Sequence, residues 1–332
     1  MSVVASTGSS LAERLRRLHL SSLSRELIPY VVLAGLIAFM STRQAGYVSR
    51  AQFDIVSGNA LPLILVAAGE TVVILAGGID LSVGGIVSIV TAVGATRMHS
   101  NAGSIAAVAI LLLLGGFVGG ALNGVLITVL RIQPLIATLA TWSIWGGLAL
   151  VILPSPGGEI PTWWLNLTTG SLAGASSQTW TLLLLVLAWL VFLRTRSATA
   201  IKAVGSDRHA AALAGLSVRR TTITAYAISG LASALAGLYL LSSTASGSPT
   251  IGSDYILPSI AAVGIGGARL TGGSARLSGT IAGAYILTII NDVAFSLGLP
   301  SGWSTFVVGP LLILAVLAGS VGQLRAKLPR RA

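Results

Sequence analysis

The chain has 332 residues, of which 54% are hydrophobic and 9% charged, and its mean hydropathy is +0.90. A soluble domain carries about 25% charged residues, so a water-soluble fold is excluded. The net charge of +11 comes from basic residues scattered singly between apolar segments, which excludes a nucleic-acid stripe. No cysteine is present, which removes disulfides, thiolate metal sites and a cysteine nucleophile, and His19, His99 and His209 lie too far apart for a metal motif.

Lipid offers the backbone no hydrogen-bond partners, so the long apolar runs, such as 103–130, must be helices. The expected fold is all-α, a polytopic transmembrane helix bundle of about ten spans. They fall near 27–41, 55–77, 81–96, 103–130, 134–153, 179–193, 221–243, 256–267, 278–298 and 304–320. Residues 1–26 read as a cytoplasmic basic tail, 27–320 as the membrane domain and 321–332 as a second cytoplasmic basic tail. The first apolar run begins near Leu27, after Arg14, Arg16, Arg17 and Arg25, and reads as a signal anchor. With the N-terminus inside, 17 basic residues fall on the cytoplasmic side and only Arg43, Arg50 and Arg97 outside. The positive-inside rule then places both termini in the cytoplasm and requires an even number of crossings.

The first local feature along the chain is Glu70, mid-span among apolar neighbours. A charge exposed to lipid there costs at least about 3 kcal/mol, so Glu70 should face the bundle interior, a partner or water. Next comes the helix break Gly77-Gly78-Ile79-Asp80-Leu81-Ser82-Val83-Gly84. Paired glycines end one helix, and Asp80 is placed to accept free N–H groups of the next, primarily as a cap, with an ion or solute contact as the alternative. Gly78 and Ser82 belong to the same break. Farther on, Gly116, Gly120 and Gly124, then Ser229, Ser233 and Gly237, then Gly279 and Gly283, repeat every four residues, which favours close intramolecular helix packing. The segment 154–178 holds prolines, glycines, Trp163 and Trp164 without Lys or Arg, and suits an external loop at headgroup level. Span 256–267 is too short to cross and reads as a half-helix or re-entrant segment buried in the bundle. Asn291 and Asp292 are a second polar pair inside a span. Glu70 and Asp292 together are read either as a proton relay or as structural groups.

The longest cytoplasmic loop is about 194–220. Within it, Asp207 to Gly215 has a polar start, helix-forming alanines and a glycine stop, giving a short capped helix that serves either as a docking element or as a plain connector. The first motif above, together with Gly205 through Gly215, then Ile260-Ala261-Ala262-Val263-Gly264-Ile265-Gly266-Gly267, Gly272-Gly273 and Gly279-Thr280, resembles the permeases of ATP-binding-cassette importers for ribose and related monosaccharides. That family includes the autoinducer-2 permeases, and the resemblance extends over about 60–300. It implies a transport subunit and not an enzyme. It further implies an importer whose loop at about 203–218 is a coupling helix seated on the ATPase, with Gly205, Asp207, Arg208, Ala211 and Gly215 at the partner contact. The implied partners are an ATPase subunit, a periplasmic or lipid-anchored substrate-binding protein, a second permease subunit and membrane lipid, with no nucleic acid.

Only Lys202 and Lys327 are lysines, and neither ends a phosphate-binding loop, so ATP and Mg are expected in the partner subunit and no cofactor on this chain. No catalytic triad, zinc site or paired-carboxylate constellation emerges either. Two rival readings remain at this point: a proton-coupled secondary transporter using Glu70 and Asp292, and an ATP-binding-cassette permease for branched-chain amino acids.

Overall fold

A computed structural model describes residues 11–98 and 101–300 and several positions between 302 and 313. The expected tail at 321–332 and most of the expected span 304–320 lie outside the described residues. The observed helices are α1 (Leu11–Arg43), α2 (Arg50–Leu75), α3 (Val83–Arg97), α4 (Ala102–Thr128), α5 (Pro134–Ile152), α6 (Thr162–Thr169) and α7 (Ser177–Leu193), followed by α8 (Arg196–Ser206), α9 (Arg208–Leu213), α10 (Val218–Ser243), α11 (Ile256–Ile265) and α12 (Leu277–Ser296). A 3-10 turn over Ile251–Tyr255 leads into α11, and a two-stranded hairpin, β1 (Ser171–Leu172) with β2 (Ala175–Ser176), leads into α7.

Among the described residues, α2, α4, α5, α10 and α12 are long and apolar enough to cross a membrane. The α7–α8 pair, bent by 76° at its junction, makes a sixth candidate, and three shorter apolar helices accompany them. The chain is thus a multi-pass membrane protein. Helix α2 is central: 60–76 is buried without interruption, which is why this stretch is apolar on every face. Helices α10, α12 and α11 pack directly on it, with α3 and α4 against α10, α5 against α3, and α1 against α12. Exposed Ile110, Leu111, Leu114 and Val118 on α4 and Leu183, Leu184 and Leu187 on α7 give these helices an apolar outer surface suited to lipid.

The small-residue stripes are the helix contacts. A Cβ on Gly116 would lie 2.6 Å from both the Ala234 methyl and the Gly230 carbonyl, and one on Gly124 would lie 2.5 Å from Ile223 Cα, so α4 and α10 meet backbone to backbone. Gly279 touches Gly266 and Gly283 touches Ala262 in the same way, joining α12 to α11. Helix α11 spans ten residues, about 15 Å at 1.5 Å per residue, and its Ser259–Gly264 stretch is buried. The short, interior character expected of 256–267 is therefore observed.

Two segments differ from the sequence reading. The 154–178 stretch is not simply a loop, because it contains α6 and the hairpin. The 194–220 stretch holds two helices and not one: 203–206 closes α8, and only Arg208–Leu213 forms the separate helix. Helix α8 places Ala198, Ile201 and Val204 at three-residue intervals on a buried stripe while Lys202 stays exposed. Its polar average hid that stripe.

Candidate functional site

Two features meet at the end of the bundle that carries α8 and α9. One is the α2–α3 break. Helix α2 ends in a Schellman motif: Gly78 N donates to the Val73 carbonyl (3.1 Å), Gly77 N donates to that of Ile74 (2.9 Å), and Gly77 takes a φ of +77° that residues with a Cβ adopt at a cost. The chain then turns inside the protein, where Asp80 and Ser82 are fully buried. Asp80 N donates to Glu70 Oε1 (3.1 Å), while Asp80 Oδ1 accepts from Ser82 N (3.0 Å) and Ser82 Oγ (2.6 Å). Asn123 Nδ2 on α4 donates to Ser82 Oγ (2.7 Å), Thr141 Oγ1 on α5 donates to Asn123 Oδ1 (2.7 Å), and the Tyr226 hydroxyl on α10 donates to the Ile79 carbonyl (3.2 Å). One polar chain thus ties α2, α3, α4, α5 and α10 around the break. These connected hydrogen bonds hold the break in one arrangement, while Glu70 Oε2 is buried there with no partner among the described residues.

The other feature is a backbone joint. Gly205, near the end of α8, lies directly against the Leu75 carbonyl at the end of α2, so close that a Cβ there has no room. The same carbonyl accepts from Gly273 N (3.0 Å), and a Cβ on Gly272 would lie 2.5 Å from the Gly205 carbonyl and 2.8 Å from Gly77 Cα. Three chain segments, 75–77, 205–206 and 272–273, therefore touch without intervening side chains.

Helix α9 follows immediately. Asp207 is its N-cap, with Oδ1 accepting from His209 N (2.8 Å) and Ala210 N (2.9 Å). These two donors hold the Asp207 carboxyl below the usual aspartate range. At the other end Gly215 N donates to the Ala212 carbonyl and Leu216 N to that of Ala211, with Gly215 at a φ of +82°. Ala211 is buried, whereas Arg208, His209 and Leu213 face outward, and Leu213 is 78% exposed. Replacing Asp207 by alanine should fray α9 more than replacement by asparagine, which keeps an acceptor. The cap, having a lowered carboxyl pKa in the fold, is present at neutral pH and lost only as pH falls through that lowered value. Thermal unfolding of both variants at neutral pH checks the order, and equal loss in both would mean the charge, not the cap, matters.

The structure brings Glu70, Gly78, Asp80 and Ser82 together, and separately Gly205, Asp207, Arg208, Ala211 and Gly215, with the glycine joint linking the two groups. It does not bring in Asn291 and Asp292. Thr71 Oγ1 and Thr280 Oγ1 meet at 2.8 Å, which fixes the register of α2 against α12. Asp292 lies twelve residues farther along α12, about 18 Å away, where the Tyr47 hydroxyl donates to its Oδ2 (3.0 Å), and Asn291 is exposed. Glu70 and Asp292 therefore stand at different levels of the bundle and do not touch each other. Sequence reasoning missed Asn123, Thr141, Tyr226 and Leu213. A polar Asn123 between Gly120 and Gly124 on a close-packed stripe was the available signal for the first.

A family model described as the branched-chain amino acid transport system / permease component matches residues 53–316. The chain belongs to this permease family. Its relatives include a probable ABC transporter permease protein of Sinorhizobium fredii, 35% identical over 288 residues, covering 85% of each chain. The ribose import permease protein of Escherichia coli is 33% identical over 304 residues, 88% of this chain and 93% of the relative. The autoinducer 2 import system permease protein of Yersinia pestis is 33% identical over 310 residues, 92% of this chain and 87% of the relative. No solved structure matches the chain. The protein is accordingly a transport permease of the ATP-binding-cassette class, and the break, joint and α9 are features of a permease subunit.

Proposed function

We propose that this permease is the membrane-spanning subunit of an importer for a monosaccharide or related small polar solute, and that a separate ATPase drives it by pressing on α9. The observation carrying this reading is the side-chain-free contact of Gly205 with the Leu75 carbonyl. Force applied to an exposed, doubly capped helix reaches the α2–α3 break through that contact, and the polar chain around the break distributes it to α3, α4, α5 and α10. ATP and Mg belong to the partner. A substrate-binding protein delivers solute from outside, and a second permease subunit completes the conduit, in the inner membrane of a bacterium. Residues 27–320 form the membrane domain with about ten spans, and the basic tails 1–26 and 321–332 lie with α9 in the cytoplasm. The sugar-type solute is supported by the names of two relatives, which import ribose and autoinducer 2.

The absence of native cysteine makes the topology directly testable. His209→Cys should react with an impermeant maleimide only from the cytoplasmic face and should be shielded when the ATPase is bound. Labelling from the periplasm alone overturns the proposal. The purified chain should hydrolyse no ATP, and Arg208→Glu should lower solute uptake without preventing membrane insertion. Uptake driven by an imposed proton gradient in vesicles lacking the ATPase would favour the proton-coupled alternative. Uptake of labelled leucine in place of ribose would favour the branched-chain amino acid reading.

A further inference from the structure

At the end of the bundle opposite α9, a cavity of about 590 Å³ opens within this single chain, between the outer parts of α2, α7 and α10 and beside α6. Its volume is in the range of small-molecule sites. Asp54, Asn59 and Gln178 supply hydrogen-bonding groups, and Tyr239, Tyr255 and Pro62 supply aromatic and apolar wall. The wall is built and not incidental. Asp54 is held by the Ser176 hydroxyl (2.6 Å), and Gly58 leaves the floor open in front of Gln178 Nε2 and the Tyr239 hydroxyl, each 3.4 Å from where its Cβ would stand.

A second observation points to a ligand: the Gln178 Oε1 atom is buried and has no hydrogen-bond partner among the described residues. An enclosed amide oxygen left without a donor is costly, and a bound hydroxyl would satisfy it. The polarity of the wall limits the chemistry. Asp54 repels an anion, and among the described residues no lysine or arginine lines the cavity to neutralise the carboxylate of an amino acid. Amide and carboxylate groups placed against tyrosine rings suit a neutral molecule with many hydroxyls and one C–H face.

We infer that this chamber is a solute subsite within one permease subunit, taking a small neutral polyhydroxylated molecule, an aldose or alditol, as it enters from the outer face. The subsite rests on the importer reading above and adds to it a place where the subunit itself touches cargo. Gly58→Leu fills the floor, and Gln178→Leu removes the amide.

The test uses the full importer in proteoliposomes with saturating ribose-loaded binding protein. Both variants should lower labelled ribose uptake by about tenfold, the effect of losing one good polar contact or its space. Co-purification of the ATPase subunit at the wild-type level reports that each variant is folded. Wild-type uptake in folded Gly58→Leu and Gln178→Leu overturns the subsite and leaves the importer reading intact. Failure of the wild-type importer to carry ribose or ribitol while it carries leucine overturns both the sugar assignment and the subsite.

Discussion

Gly205→Ala is expected to reduce solute uptake by about 10- to 100-fold, the largest effect of any single methyl group in this protein. The methyl has nowhere to go: it runs into the Leu75 carbonyl and lies 2.9 Å from Gly273 N. Both obstacles are backbone, and the same carbonyl already accepts from Gly273 N, so neither can swing aside as a side chain would. Overpacking of this kind costs about 1–3 kcal/mol, and the middle of that range, about 1.4–2.8 kcal/mol, corresponds to about a 10- to 100-fold loss of the seated arrangement. Gly215→Ala provides the contrast. Nothing lies within 4 Å of a Cβ there, and the difficulty is only the φ of +82°, so the expected penalty is a left-handed alanine of about 1 kcal/mol. Reconstituted uptake and ATP turnover measured side by side separate the two. Gly205→Ala should hydrolyse ATP with little transport, because the push on α9 no longer reaches α2, whereas parallel loss of both activities would show that the joint only holds the subunit together.

The sequence made the individual pieces of this machine legible because their signals are local. The break follows from Gly77, Gly78 and Asp80, and the short helix from Asp207 and Gly215, since caps and stops act within a turn of the residue that makes them. The span 256–267 was recognised as a short interior piece from its length alone. What was not legible is which pieces touch. Gly205 stands in a recognisable motif, yet its importance lies in contacts with Leu75 and Gly273, about 130 and 68 positions away in the chain, which no periodicity encodes. Glu70 and Asp292 look alike in the sequence, as acids inside spans, and only the register set by contacts such as Thr71 with Thr280 shows that they stand at different levels. Helix α8 was absorbed into a loop because three buried apolar residues among Arg, Lys, Ser and Thr do not raise a hydropathy average.

Asp80→Ala should be the second large perturbation, and its comparison with Asp80→Asn decides between a cap and a contact with cargo. Alanine deletes the acceptor of both Ser82 N and Ser82 Oγ inside a fully buried site. A buried donor left unsatisfied costs about 1–3 kcal/mol, and the two donors share one residue, so a total of about 3 kcal/mol is expected. Thermal unfolding in detergent should fall by several degrees, and the Ser82–Asn123–Thr141 chain should loosen with it. Asparagine retains an oxygen at the position of Oδ1, so it should keep the turn and most of the stability. If Asp80→Asn is both stable and active, Asp80 serves to hold the α2–α3 break. If it is stable yet inactive, the carboxylate itself is needed for transport. Glu70→Gln supplies the matching control, since its remaining oxygen still accepts from Asp80 N, and Glu70→Ala strands that N–H. Because that N–H belongs to the backbone, Asp80→Ala leaves the bond to Glu70 in place, and only Glu70→Ala removes the link between α2 and the start of the turn; the loss on going from Glu70→Gln to Glu70→Ala should therefore be nearly the same whether aspartate or alanine stands at position 80.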